Sequence, residues 1–271
     1  MITEQIDLLN SFLKQKFNYD FSNYAISSYE RRIDRYLMLR KIDNISALIT
    51  YLEASKVNLD DFIEEITVNT TEMFRDPTVW SSLRNNILPV LNKNQNIRIW
   101  HAGCSSGEEV ASMLILLKEL GMLEKCKLYA TDLSTQMLNH AKEAKFREKN
   151  MELNRENYYK AGGSNNFNDF FDYKNEFYHL DKSLIDFVTF KRHNLVSDAA
   201  FTKFDLILCR NVMIYFNKDL QDVVIEKFSQ SLFKNAFLAI GKKESLIFCK
   251  HVDLFSVVDE ENKIYKMDRK A

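Results

Sequence analysis

From about residue 96 onward, the sequence alternates short β-prone runs with segments of helical periodicity. The β-prone runs are residues 97–100, 127–130, 204–209, 236–240, 255–258 and 263–267. The helical segments between them are residues 110–120, 134–145 and 219–233. Residues 204–209 are almost continuously apolar, as expected of a strand that is buried on both faces. Strands that alternate with helices pair in parallel through crossover helices, so the pattern predicts an α/β fold.

The preceding segment, residues 1 to about 90, has a helical pattern throughout. Apolar residues recur at i, i+3 and i+7 from Ile6 onward. Ser28 is a candidate cap for a helix that begins one residue later, and Asn44 or Asp43 is a candidate cap for the next helix. Short amphipathic helices are stable when they pack on one another. We therefore predict a small all-helical domain of residues 1–90, followed by a second domain of residues 91–271.

Residues 146–186 interrupt the alternation of strands and helices. Turn-forming residues at 161–166, Ala-Gly-Gly-Ser-Asn-Asn, precede an alternation of aromatic residues around 167–178. Two interpretations stay open for this segment. It is either a small antiparallel subdomain inserted in the sheet domain or an irregular surface loop.

Composition and charge argue against several classes of protein. The 37 Lys and Arg and 38 Asp and Glu give a formal net charge of −1, so no general attraction to nucleic acid or to an anionic membrane is expected. No apolar run approaches the roughly 20 residues that span a bilayer, and residues 1–17 lack the apolar core of a signal peptide. The four cysteines are scattered without a CxxC pair. This pattern predicts reduced thiols, no metal site and a cytoplasmic location.

A glycine loop with two acids, His-Ala-Gly-Cys-Ser-Ser-Gly-Glu-Glu at 101–109, lies between a predicted strand and a predicted helix. Glycine permits close approach of a ligand to the backbone, and the helix N-terminus supplies unpaired N–H groups. The spacing is GxxxG rather than the GxGxxG of dinucleotide sites, and Glu108 and Glu109 would repel a diphosphate. The loop therefore favours a cationic ligand, S-adenosylmethionine, over NAD. An ordinary strand-to-helix turn is the alternative.

Three further motifs carry polar groups at strand ends or at the domain junction. Asp132 ends the second predicted strand, where an acid accepts hydrogen bonds from ribose hydroxyls or caps the next helix. Asn211 and Tyr215 follow the buried strand, at the edge where open α/β sheets bind ligands; a turn residue and a packed ring are the alternatives. Residues 69–77, Asn-Thr-Thr-Glu-Met-Phe-Arg-Asp-Pro, are either a functional segment or a capped linker.

Together the four motifs resemble those of the CheR-type chemotaxis receptor methyltransferases, whose patterns are NxTxFFR, GCSTGEEPYS, ATD and FDLIxCRNVxIYF. The segments here read NTTEMFRDP, HAGCSSGEEVASM, YATDLS and FDLILCRNVMIYF, within a resemblance that covers about residues 25–267. It implies a class I S-adenosylmethionine-dependent methyltransferase with a Rossmann-like sheet, a small all-helical N-terminal domain and an inserted antiparallel β-subdomain. The implied reaction methylates glutamate side chains of bacterial chemoreceptors and gives S-adenosylhomocysteine as the other product.

The resemblance also implies a set of site residues. Those implied to bind the cofactor are Asn69, Thr71, Arg75, Gly103, Glu109, Asp132, Asn194, Leu195, Asn211 and Val212. Asp132 matches the ribose-binding acid, the pair at 194–195 lies beside the adenine, and the pair at 211–212 lies near the methionine end. The candidate catalytic residues are Arg75 and Tyr215. We expect Arg75 to orient the acceptor carboxylate and Tyr215 to hydrogen-bond to it or to wall the methyl channel.

The expected partner is a methyl-accepting chemotaxis receptor or a related signalling protein, bound by a monomeric enzyme that neither inserts in a membrane nor binds nucleic acid. Residues 29–41 carry a net charge of +3. This segment is predicted either to meet an acidic helix of the acceptor or to be an ordinary solvated amphipathic helix.

Departures from the family pattern leave the acceptor open. Residues 241–244 read Gly-Lys-Lys-Glu in place of Gly-His-Ser-Glu, residues 110–111 read Val-Ala in place of Pro-Tyr, and Met73 replaces one phenylalanine. One alternative keeps the chemistry but changes the acceptor to another signalling protein, such as a histidine kinase. The other is a non-catalytic sensor or scaffold that binds S-adenosylmethionine, which the retained acceptor-side pair Arg75 and Tyr215 argues against.

Overall fold

A computed structural model describes residues 3–67 and 71–268 of the chain. Its first four helices are α1 (Thr3–Phe17), α2 (Ile26–Arg40), α3 (Ile45–Ala54) and α4 (Lys56–Ile66). Their apolar faces pack on one another around the fully buried side chains of Leu9, Leu13, Ile33, Leu48 and Phe62. The predicted helical bundle is therefore present, and packing between its helices stabilises them more than their own propensities do.

The two predicted helix caps in this bundle have different outcomes. Asn44 caps α3, since its side chain accepts a hydrogen bond from Ala47 N at 2.9 Å. Ser28 does not cap α2, which begins at Ile26 with Ala25 at its N-cap. The helix begins early because Ala25 N donates to Tyr215 O while Ala25 O already accepts from the first turn of α2. A tertiary contact therefore sets this helix start in place of a side-chain cap.

The next helical stretch packs against the sheet domain. It consists of α5 (Pro77–Ser82), a π-helical turn (Leu83–Ile87) and α6 (Leu88–Leu91). Val79, Trp80 and Leu88 belong to the same hydrophobic core as the sheet strands. The division of the chain at residue 90 stays a prediction.

The remaining chain forms a large sheet with flanking helices and a small second sheet. The strands are β1 (Ile97–Ala102), β2 (Cys126–Asp132), β3 (Lys145–Arg147), β4 (Phe171–Lys174), β5 (Phe177–Leu180), β6 (Val188–Arg192), β7 (Phe204–Cys209), β8 (Leu232–Ile240), β9 (Phe255–Asp259) and β10 (Ile264–Met267). The helices are α7 (Glu108–Glu119), α8 (Thr135–Glu143), α9 (Glu148–Lys160), α10 (Lys182–Ile185) and α11 (Lys218–Ser231).

The large sheet has the strand order β6-β2-β1-β7-β8-β10-β9 within the described residues. The strands from β6 to β8 in this order pair in parallel, which confirms the α/β prediction. In contrast, β10 runs antiparallel to both β8 and β9. The connection from β9 to β10 spans only residues 260–263, and so short a connection joins antiparallel neighbours, because a parallel pair needs a longer crossover.

Two hydrophobic clusters cover the two faces of the large sheet. Ile99 of β1 lies in the cluster that contains α7, and its neighbour Trp100 lies in the cluster that contains α11. The opposite directions of adjacent side chains on a strand account for this split. The four cysteines are buried and form no disulfide in the described chain. None of the helices in residues 3–67 and 71–268 is long and apolar enough to cross a membrane.

Two predicted helix ends differ from the structure. The helix opened by Ser134 ends at Glu143, because Ala144 adopts the left-handed conformation and β3 begins at Lys145. The helix predicted for 219–233 ends at Ser231, and residues 232 and 233 belong to β8. In both places a strand pairing competes with the helical pattern and terminates the helix.

The segment 146–186 contains a small antiparallel sheet in the order β3-β5-β4. The prediction of an inserted antiparallel subdomain is confirmed, and the alternative of an irregular loop is wrong. The subdomain also contains α9, which the sequence did not reveal because its apolar residues are few. Buried Met151 and Tyr158 join α9 to the core of the sheet domain.

Candidate functional site

A cavity opens where β1, β2, β6 and β7 end, at the carboxyl edge of the parallel strands. Ten sequence-predicted site residues line it: Thr71, Arg75, Gly103, Glu109, Asp132, Asn194, Leu195, Asn211, Val212 and Tyr215. Asn69, the remaining predicted residue, lies outside the described residues. Residues from segments far apart in sequence thus meet at the edge where open α/β sheets bind ligands.

The glycine loop between β1 and α7 is pressed against the segment that follows β7. Gly103 N and Cys104 N donate to Thr131 O at 2.8 and 2.9 Å. Gly103 has φ of +81°, and a Cβ atom there would lie 2.6 Å from Val212 Cγ2. The close approach and the positive φ both require glycine at this position.

Asp132 is buried at the end of β2, with both carboxylate oxygens facing backbone donors. Oδ2 accepts from Ser105 N at 2.8 Å and Oδ1 accepts from Ser134 N at 2.9 Å. Burial raises the pKa of Asp132, although these backbone N–H groups oppose the rise. A carboxylate offers about four acceptor positions, so Asp132 can also accept from ligand hydroxyls. The cap of α8 is the Ser134 side chain, which accepts from Met137 N.

Glu109 belongs to a buried hydrogen-bond network that the sequence does not predict. Its Oε1 lies 2.8 Å from His101 Nδ1, and its Oε2 accepts from Arg210 Nη1 at 3.2 Å. Arg210 Nη2 also donates to Asp76 Oδ2 at 2.7 Å and to the Arg75 carbonyl at 2.8 Å. Burial alone would raise the pKa of Glu109, but the hydrogen bond with His101 and the charge and hydrogen bond of Arg210 outweigh burial and lower it. The cavity therefore keeps a negative charge at this position at neutral pH.

Arg75 and Tyr215 line the same cavity. The Arg32 guanidinium of α2 lies 5.6 Å from the centre of the Tyr215 ring. Burial raises the pKa of Tyr215, and the charges of Arg32 and Arg75 oppose this rise without reversing it. Tyr215 is therefore a phenol at neutral pH and can donate a hydrogen bond.

Glu244 anchors the segment that carries Asn211 and Tyr215. This buried carboxylate accepts from Asn211 N at 3.3 Å and from Ile214 N at 3.2 Å, and Gly241 N donates to it as well. Burial raises the pKa of Glu244 against these backbone donors. Asn211 has a φ of 61°, a conformation that asparagine tolerates better than most residues. In the sequence, Glu244 is the last residue of the altered 241–244 segment, and no local pattern indicates this anchoring role.

The helical bundle contributes a wall of the cavity that the sequence did not predict. Tyr24 and Ile66 line it. Residues 23–25 run antiparallel to residues 215–217, with Ala25 N to Tyr215 O at 2.8 Å and Asn217 N to Asn23 O at 2.9 Å. The rings of Tyr24 and Phe216 meet edge to face at 5.2 Å. No local pattern marks this pairing, because its two partners are far apart in sequence.

The cavity fits S-adenosylmethionine. Asp132 can accept ribose hydroxyls, the glycine loop lets a ligand approach the backbone, and ionised Glu109 favours a cationic ligand over a diphosphate. The sheet and the lining of this cavity are those expected of a class I S-adenosylmethionine-dependent methyltransferase.

Comparisons with known proteins assign the family. The model of the CheR methyltransferase all-alpha domain matches residues 4–67, and that of the CheR methyltransferase SAM binding domain matches residues 69–264. The chain belongs to the CheR methyltransferase family.

Curated relatives match over most of their length. A putative methyltransferase Cher3 of Pseudomonas putida is 39% identical over 97% of this chain and 96% of its own. A chemotaxis protein methyltransferase of Borreliella burgdorferi is 33% identical over 90% of this chain and 88% of its own. One of Listeria monocytogenes is 29% identical, over 87% of each chain. These matches confirm the predicted membership of the CheR family, the predicted methyltransferase activity and S-adenosylmethionine as the cofactor.

Proposed function

We propose that this protein transfers the methyl group of S-adenosylmethionine to glutamate side-chain carboxylates of bacterial chemoreceptors, forming methyl esters. The observation that carries the proposal is that Arg75 and Tyr215 line the same cavity as the glycine loop and Asp132. A guanidinium and a phenol beside a cofactor site suit an anionic acceptor. The printed names of relatives from Borreliella and Listeria, chemotaxis protein methyltransferases, also support it.

The proposed cofactor contacts are those that the family resemblance implies, and all of these residues except Asn69 line the cavity. Asp132 accepts hydrogen bonds from the ribose hydroxyls, and residues 194–195 lie beside the adenine. Residues 211–212 and Glu109 serve the methionine end, together with Gly103. Asn69, Thr71 and Arg75, in the segment before α5, complete the proposed set.

The chemistry asks little of the protein beyond positioning. S-adenosylmethionine supplies a methyl group bonded to a positively charged sulfur. A glutamate carboxylate is ionised at neutral pH and is itself the nucleophile, so no residue has to remove a proton. Arg75 orients the carboxylate, and the Tyr215 hydroxyl hydrogen-bonds to it or walls the methyl channel. Holding the reacting groups in this orientation can lower the activation barrier by roughly 7–11 kcal/mol.

The deciding experiment uses methyl-labelled S-adenosylmethionine with native membrane and soluble fractions, followed by treatment with alkali. Methyl esters release methanol in base, whereas N-methyl groups do not. We expect alkali-labile label in a membrane receptor band. Label on soluble protein alone would replace chemoreceptors by another signalling protein as the acceptor. Absence of label while S-adenosylhomocysteine still binds would favour the non-catalytic sensor.

The partner and the setting belong to the same proposal. We propose that the enzyme acts as a cytoplasmic monomer and that α2 meets an acidic helix of the receptor. Part of the charge of α2 is already paired, since Arg35 contacts Glu65 at 3.0 Å and Arg40 contacts Asp61. Light scattering after size exclusion tests the monomer, and receptor-fragment binding to charge-reversed Arg31→Glu tests the docking surface.

A further inference from the structure

Residues 193–198, the 193–198 loop, follow β6 and form one wall of the cavity. Asn194, Leu195 and Val196 line it. The loop is closed by its own hydrogen bonds. Asn194 N donates to Asp198 Oδ2 at 2.9 Å, Val196 N donates to the Asn194 side chain at 2.9 Å, and Asp198 N donates to Asn194 O at 2.9 Å. These bonds use the backbone N–H groups of residues 194, 196 and 198, and none of them uses the Leu195 or Val196 carbonyl.

Lys227 of α11 supplies a donor to these carbonyls. Its ammonium group donates to Leu195 O and lies 3.5 Å from Val196 O. The residue is only 9% exposed. The Leu195 side chain packs in the same hydrophobic cluster as Phe228, the next residue of α11. The apolar packing of Leu195 and the charged donor of Lys227 therefore both hold the loop against α11.

A buried ammonium is costly unless hydrogen bonds compensate it. Within residues 3–67 and 71–268, no carboxylate lies at ion-pair distance from Lys227 Nζ. Burial lowers the pKa of Lys227, and the charge of Asp198 opposes the change. The two loop carbonyls are the acceptors that compensate this charge. A buried carbonyl also needs a donor, so the ammonium group and the carbonyls stabilise one another.

We propose that Lys227 is a positioning residue for S-adenosylmethionine. It holds the backbone of Leu195 and Val196 in the conformation that forms the adenine wall of the cavity. The inference rests on the proposed placement of adenine beside residues 194–195. The residues proposed for the methionine end, Glu109 and Asn211, belong to other segments, so Lys227 governs cofactor affinity and leaves the transfer geometry unchanged.

The test replaces Lys227 by methionine, which keeps the length and apolar stem but removes the donor. We expect Lys227→Met to bind S-adenosylhomocysteine about tenfold or more weakly in calorimetry, since hydrogen bonds from charged groups are the strong ones. KM for S-adenosylmethionine should rise by a similar factor, with kcat within about twofold of wild type. Lys227→Arg, which retains charged donors, should stay within about threefold of the wild-type affinity. Lys218→Met, at an exposed position of the same helix, is the matched control.

Two results would overturn the proposal. One is wild-type affinity for S-adenosylhomocysteine in Lys227→Met. The other is a joint loss of affinity and kcat in proportion to the unfolded fraction seen by circular dichroism, as a purely structural role predicts. If Lys227→Met does not fold, Lys227→Gln replaces it. Glutamine is shorter than lysine and its amide donor carries no charge, so weaker binding is again expected, and wild-type affinity would again overturn the proposal. Binding of S-adenosylhomocysteine needs no acceptor, so the result stands apart from the identity of the methylated protein.

Discussion

Substituting Arg210 by methionine is the most demanding test of how the site is held together. The Arg210 side chain is 2% exposed, and it donates to Glu109, to Asp76 and to the Arg75 carbonyl. Methionine occupies much of the same volume without charge. The substitution therefore leaves two carboxylates and one carbonyl without this donor while it changes packing little.

The size of the effect follows from the exposure of the groups left behind. Removing one partner from a buried ion pair costs about 3–5 kcal/mol. The side chains of Asp76 and Glu109 are 28% and 16% exposed, so water can reach both, and Trp80 Nε1 still donates to the Arg75 carbonyl at 3.0 Å. We therefore expect the lower end, about 3 kcal/mol, which for a chain of this size lowers Tm by roughly 6–12 °C.

Urea unfolding followed by circular dichroism measures this loss directly. Arg35→Met is the matched control, because Arg35 forms a surface pair with Glu65 and its side chain is 66% exposed; such pairs contribute about 1 kcal/mol or less. The Arg210 variant should also bind S-adenosylhomocysteine more weakly, since Glu109 and Arg75 lose a common support. A destabilisation below about 1 kcal/mol, equal to that of the control, would refute the reasoning that this network holds the site.

Three further predictions concern the cavity itself. Gly103→Ala places a Cβ atom 2.6 Å from Val212 Cγ2, and calorimetry should show about tenfold weaker binding of S-adenosylhomocysteine. Adding Val212→Ala should partly restore the binding. Unchanged binding in Gly103→Ala would contradict the crowding. Arg75→Ala should lower kcat by about a hundredfold or more while S-adenosylhomocysteine still binds; a wild-type kcat would remove Arg75 from catalysis. Because its folded-state pKa is lowered, Glu109 stabilises the fold at neutral pH, and this contribution disappears as the pH falls through that pKa. Urea unfolding should show wild type more stable than Glu109→Gln at neutral pH, with the difference shrinking in acid; a constant difference would contradict the linkage.

The sequence determined the elements whose signals are local. Residues 204–209 read as a strand buried on both faces, and every residue of β7 is buried. Asn44 and Asp43 were the candidate caps of α3, and the Asn44 side chain accepts the expected backbone hydrogen bond. The motifs after β1, β2 and β7 each follow a predicted strand, and because parallel strands share a carboxyl edge, their residues line one cavity.

Strand β6 was missed because its signal is weak. Val188–Arg192 alternates half-buried with exposed side chains and contains two basic residues. Among the residues that the structure describes, it pairs with β2 alone, at the edge of the sheet, where one side of a strand meets solvent and continuous hydrophobicity is not required. Because β6 was not predicted, the conformation of the 193–198 loop that follows it and the contact of this loop with Lys227 were not predicted either.

The helical bundle, the alternating α/β pattern and the family motifs can all be predicted from the sequence, because each is encoded in residues close together in the chain. Which motif residues support one another depends on the tertiary structure. Arg210 contacts Asp76 across 134 positions of sequence, Lys227 reaches Leu195 from another element, and Tyr24 of the helical bundle pairs with Phe216. Such contacts depend on how completed elements pack, and spacing along the chain carries no record of that packing.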